Sequence, residues 1–145
     1  MAQSLQITIK EDLTRKSDRE KLDAVLIQAR AFVSRMEANE HQTRVNPGTM
    51  AYIIKVLLHN AYDAIFTSGN TPKIVVNSIK KNGIVTIKVR DNGCGYGRTG
   101  RKLFGGAGTG VSTVREEINS FDGTLNYKEN SFGGTTAIVK IPASF

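Results

Sequence analysis

Cysteine occurs once in the 145 residues, at Cys94, so the chain has no internal disulfide framework and suits a reducing compartment. A lone cysteine also excludes a zinc site built on paired thiolates. No apolar run approaches the ~18 residues that a membrane span needs, and Met1–Ser4 carries no basic-then-apolar signal pattern. The expectation is a cytoplasmic chain without direct membrane contact, either free or the cytoplasmic part of a membrane receptor. Acidic residues are scarce, 13 against 20 Lys and Arg, which leaves a net charge of +7. That excess suits any polyanion. The basic residues are scattered from Lys10 to Lys140 in no more than short pairs such as Lys80–Lys81 and Arg101–Lys102, with no interleaved aromatics. Nucleic acid is therefore not expected as the main ligand. Internal repeats, low-complexity tracts and a Walker A sequence are also missing.

What is present reads as one globular domain over residues 1–145, with 39% hydrophobic and 23% charged residues. Leu5, Ile7 and Ile9 alternate with polar residues and predict a strand. Asp18 is the expected cap of a long amphipathic helix carrying Leu22, Val25, Leu26, Ala29, Phe32, Val33 and Met36. Thr43–Val45 reads as a short strand. A second helix is predicted from Pro47 or Thr49 to about Phe66, ended by Ser68-Gly69-Asn70-Thr71-Pro72. Strands over Lys73–Ile79 and Ile84–Arg90 flank Asn82-Gly83, a strong hairpin signal. Gly93 to Gly110 holds eight glycines in eighteen residues, too long for a simple connection and typical of a functional lid. A helix over Val111–Ser120 and strands near Thr124–Lys128 and Thr135–Ile141 complete the order. The fold class is α+β: a two-layer sandwich with a mixed, mostly antiparallel sheet covered on one face by three helices.

Four segments carry chemistry. Asp91-Asn92-Gly93-Cys94-Gly95 follows a strand; a carboxylate there can accept from an exocyclic amine, and the glycines let a ring approach the backbone. Taken alone it is also a common turn. Gly106-Ala107-Gly108-Thr109-Gly110-Val111 leads into a helix, where bare N–H groups and the helix N-terminus favour phosphate; a flexible linker is disfavoured because the glycines stop where the helical periodicity starts. Asn60 lies among apolar neighbours in Leu58-His59-Asn60-Ala61-Tyr62-Asp63-Ala64. It is suited either to holding Mg2+ between phosphate oxygens or to bonding the backbone as a buried amide. Gly133-Gly134-Thr135-Thr136, on its own, is a hairpin turn.

In this order the four segments resemble the four boxes of the Bergerat-fold (GHKL) ATPases, the superfamily of gyrase, Hsp90, histidine kinases and the mismatch-repair protein MutL. The short lid, the helix at Val111 and the terminal Ile-Pro strand look most like the catalytic ATP-binding domain of bacterial sensor histidine kinases. The resemblance implies ATP and Mg2+ as cofactors. It implies that Asp91 binds the adenine amine and that Gly93 and Gly95 let base and lid sit close. Gly106, Gly108 and Gly110 would line the phosphates, with Thr109 and Val111 beside them. Asn60 would be the Mg2+ ligand, with Asp63 in the same box, and Thr135 would support the adenine pocket. Arg98, Arg101 and Lys102 in the lid become candidates for the γ-phosphate, though a solvated basic loop reads equally well. A carboxylate at Asp91 also selects adenine, because guanine presents a carbonyl where adenine presents an amine.

The implied activity is phosphoryl transfer from ATP to a histidine on a separate dimerisation domain, followed by a response regulator. Two features depart from the pattern. Val56 stands one helical turn before Asn60, where the family has Glu or Asn, and valine can neither take a proton nor bind a metal. Only His41 and His59 are available as acceptors; His41 reads as a surface residue of a short connector, and His59 points away from the Asn60 face. The alternatives are a nucleotide-binding interaction module without phosphoryl transfer and an anti-sigma-factor-like serine kinase, whose relatives keep Glu at the Val56 position. Gly95-Tyr96-Gly97-Arg98-Thr99-Gly100 matches a dinucleotide pattern, but no helix follows it and no second βαβ half exists.

Overall fold

The computed structural model describes residues 3–95, 110–131 and 133–144. The chain runs β1 (Gln3–Ile9), α1 (Asp18–Ala38), α2 (Pro47–Ser68), β2 (Ile74–Lys81), β3 (Ile84–Asp91), α3 (Gly110–Ser120), β4 (Thr124–Glu129), β5 (Thr135–Pro142). Ser17, rather than Asp18, caps α1. Its hydroxyl accepts from Glu20 N at 3.2 Å, and Glu20 Oε1 accepts from Ser17 N at 3.1 Å, a reciprocal box that needs Glu three residues after the cap. Asp18 becomes the first helical residue, where a carboxylate favours the positive end of the helix. At α2, Asn46 Oδ1 accepts from Thr49 N at 2.8 Å and Pro47 opens the helix. Gly69, at φ 74°, ends it two residues later than the sequence predicts.

The sheet order is β1-β2-β3-β5-β4 and every pairing is antiparallel. No parallel pair occurs among the described residues. Thr43 makes one isolated bridge, to Ala143, instead of the short strand expected over Thr43–Val45. Asn82 and Gly83 both take positive φ (53° and 76°), the geometry that matches the twist of a two-residue hairpin. One face of the sheet alternates Ile74, Val76, Val85, Ile87, Val89, Ala137, Val139 and Ile141 into the core.

The helices cover that face. α2 lies against β3 and between α1 and α3, so it is apolar around much of its circumference, with Ile53, Ile54, Leu57, Leu58 and Ile65 buried. Each such side chain contributes roughly 1.5–3 kcal/mol. α1 packs chiefly on α2 through Val25, Ala29, Phe32, Val33 and Met36. Leu22, expected on that stripe, is instead 48% exposed at the start of the helix. His41 also departs from expectation. The connector after α1 folds inward, His41 N donating to Met36 O at 2.8 Å, and the ring is 1% exposed with Nδ1 2.7 Å from Ser78 Oγ. No helix among the described residues is long and apolar enough to cross a membrane.

Candidate functional site

β3 ends on Asp91, whose side chain points to the helix-covered face and is 6% exposed. A buried carboxylate is costly unless hydrogen-bonded. Asp91 Oδ1 accepts from Gly93 N at 2.8 Å and from Thr135 N at 3.3 Å. Burial raises its pKa above the ordinary 3.8, and the Gly93 and Thr135 bonds oppose that rise. Both bonds fall on Oδ1, which leaves Oδ2 for a ligand. Beside it, the Thr135 hydroxyl is buried and has no hydrogen-bond partner among the described residues. Native interiors seldom leave such a group unmet unless something absent supplies the partner.

Two glycines are dictated by close approach. A Cβ on Gly93 would meet the Ala64 carbonyl carbon at 2.5 Å, and Cys94 N donates to Ala64 O at 3.2 Å, so this segment docks directly on α2. A Cβ on Gly134 would overlap the Asp91 carbonyl oxygen. Gly95 follows at φ 94°. Asn130, which reads in sequence only as part of a turn, is a structural clamp: its Nδ2 donates to Asp91 O at 2.9 Å and its Oδ1 accepts from Gly134 N at 3.2 Å. Asn92 does similar work on the other side, donating to Thr71 O at 2.8 Å and accepting from Lys73 N at 3.1 Å. The signal for both was an Asx side chain in a turn, a residue type that bonds nearby backbone, but their distant partners are set by tertiary contact.

Asn60 sits half-buried on α2, one turn before Ala64. Among the described residues, no hydrogen bond engages its side chain, so the plainer reading of a buried amide tied to backbone does not hold. Asp63 lies on the next turn and is half-buried. Val56, one turn earlier, is 6% exposed. A Cβ on Gly110 would meet Val56 Cγ1 at 2.9 Å. The first residue of α3 therefore rests on the Val56 side chain, with the half-buried Val111 next. The first-turn N–H groups of α3 have no acceptor within the helix and carry its positive end. Burial, and secondarily Lys55, push the His59 pKa from 6.5 to about 4, so its ring is neutral near pH 7.

The structure thus brings together Asn60, Asp91, Gly93, Gly95, Gly110 and Thr135 from four elements. Arg98, Arg101, Lys102, Gly106, Gly108 and Thr109 lie outside the described residues. The assembled groups fit a nucleotide. An anionic acceptor and an unmet hydroxyl stand at the β3–β5 end, a free amide projects from α2, and a helix N-terminus offers bare donors. Among the described residues no cluster of His, Cys, Asp and Glu could hold a metal by itself, so a divalent ion here would take its remaining ligands from phosphate and water.

A search among curated proteins returns no match. The family model of the histidine kinase-, DNA gyrase B- and HSP90-like ATPases matches residues 46–144. That span opens on the Asn46 cap of α2, closes just past β5, and takes in every residue of the site. On this match the chain belongs to the histidine kinase-, DNA gyrase B- and HSP90-like ATPases and is an ATP-binding domain.

Proposed function

We propose that this is the catalytic ATP-binding domain of a two-component sensor histidine kinase, forming one domain over residues 1–145 and acting in the cytoplasm. It would transfer the γ-phosphoryl group of ATP to a histidine on a separate dimerisation domain, from which a response regulator would receive it. In that transfer the bond from the γ-phosphorus to the bridging oxygen breaks, an N–P bond forms on the imidazole, and ADP leaves. The observation that carries the reading is the unengaged Asn60 amide on the same face of α2 as Val56, which touches the start of α3. Asn60 Oδ1 would hold Mg2+, which would neutralise phosphate charge. Asp91 Oδ2 would accept from the adenine amine, and the Thr135 hydroxyl would join it through water. Gly110 and Val111 would offer backbone donors to phosphate. Gly106, Gly108 and Thr109 would extend that cradle, and Arg98, Arg101, Lys102 and Asp63 would complete the nucleotide contacts. The domain's contribution is positioning and electrostatics. Neither His41 nor His59 serves as the acceptor in this reading, since both rings are buried.

A second reading rests on Val56. With an apolar side chain against Gly110 in place of a second oxygen ligand, the domain would bind ATP and gate a partner without phosphoryl transfer. Incubation with γ-labelled ATP and a histidine-bearing helical hairpin separates the two. Acid-labile label on the hairpin, lost with Asn60→Ala, supports the kinase. Selective ATP binding with no transfer to any hairpin, even after Val56→Asn, supports the binding module.

A further inference from the structure

The face of the sheet turned away from the helices has a composition of its own. The pairing register places Lys81, Lys88, Arg90, Lys128 and Lys140 on it. No Asp or Glu points outward from any of the five strands there. The four lysines take part in no ion pair among the described residues. Between the cations lie Val75, Ile79 and Ile138, half-buried although no helix among the described residues covers them, and Ile84, 43% exposed. A recess of about 390 Å³ opens where β1, β2, β3, β5 and β4 run side by side, walled by Gln6, Asn77, Lys88, Arg90, Lys128 and Thr136, with Glu129 at its rim beside the β4–β5 turn.

We propose that this open face is a docking surface for an acidic protein segment, its carboxylates entering the recess and its apolar side chains resting on Val75, Ile79 and Ile138. An apolar centre ringed by charge of one sign is the anatomy of a protein interface. Like charges gathered on one face steer a partner of opposite sign. Single-stranded nucleic acid needs aromatic platforms for its bases, and among the described residues this face carries no Phe, Tyr or Trp. A bilayer surface is flat and would leave the recess unfilled. The surface is separate from the nucleotide site, on the opposite side of the sheet, so the inference stands or falls independently of the kinase reading.

The test uses the full chain with a short peptide alternating Glu and Leu, its Gln/Leu twin, a single-stranded oligonucleotide, and phosphatidylserine vesicles. The Glu/Leu peptide should bind, weaken with added salt, and slow amide exchange or shift resonances along β3 and β5. The double variant K88E/K128E should weaken it about tenfold, the scale of two lost exposed ion pairs, and K88Q/K128Q by less. ATP affinity and circular dichroism should not change in either variant, which shows that the fold is intact. Equal binding of the Gln/Leu twin, binding that survives charge reversal, or tighter binding of the oligonucleotide or the vesicles would overturn the proposal.

Discussion

Replacing Asp91 with Asn probes the site with a single changed atom. In the parent, Oδ1 already accepts from Gly93 N and Thr135 N. An asparagine can keep both bonds through its own carbonyl oxygen, which puts its NH2 group where Oδ2 stands. The fold should be kept, and stability should hold or rise, because a buried charge is exchanged for a neutral amide. ATP, however, would lose a charge-assisted hydrogen bond and meet a donor facing its amine. A hydrogen bond to a charged group is worth about 1.5–3 kcal/mol, so ATP affinity should drop between about tenfold and a hundredfold. GTP should lose nothing and gain relative to ATP, since an amide NH2 can donate to its carbonyl. Isothermal titration with both nucleotides, with thermal melting as the fold control, measures this. An unchanged ATP affinity in a folded Asp91→Asn protein would refute the assignment of Oδ2 to the base.

Three further outcomes follow from the same geometry. Because burial raises the Asp91 pKa above 3.8, ATP binding should weaken as pH falls through that raised value, since the protonated acid no longer accepts; titration across pH should show this loss in the parent and a flatter profile in Asp91→Asn. His59 should make folding pH-dependent. Its pKa falls from 6.5 to about 4 on burial, so below 6.5 the unfolded chain binds a proton that the folded chain refuses, and stability should drop by up to about 3 kcal/mol as pH falls through that window. Denaturant unfolding at stepped pH should show the slope reduced in His59→Leu, with the remainder from His41, whose pKa burial and Lys80 also lower. Val56→Asn should place an amide oxygen beside Gly110 and raise the gain in ATP affinity on adding Mg2+; an identical Mg2+ response in parent and variant would show that Val56 does not limit metal binding.

Much of the architecture was legible because local chemistry and global fold agree. Asn82-Gly83 can turn only a hairpin of this twist, the α2 apolar set recurs at helical spacing, and Pro47 and Gly69 mark its two ends. The candidate site was legible as spaced segments because Asp91 and Thr135 sit at strand ends, Gly110 opens α3, and Asn60 is a polar residue within the apolar run of α2. Other features depended on partners distant in sequence. His41 looked like a surface residue because nothing nearby announces Ser78, 37 residues on. Thr43 found one bridge at the far end of the chain rather than a strand. Leu22 kept its helical spacing but met no facing surface.

Residue type and spacing alone therefore determined the elements, the hydrophobic alternation of the sheet and the choice of candidate groups for a nucleotide, since these depend on backbone geometry within a few residues. Tertiary structure decided which of those groups meet. Asn130 clamps Asp91 and Gly134 across a loop, Gly93 presses on Ala64, and Val56 lies under the first residue of α3. It also gathered cations from four strands onto one open face while their sequence positions stayed scattered. Those outcomes rest on strand register and helix packing, which sum contacts over the whole chain and leave no signature in any short stretch of it.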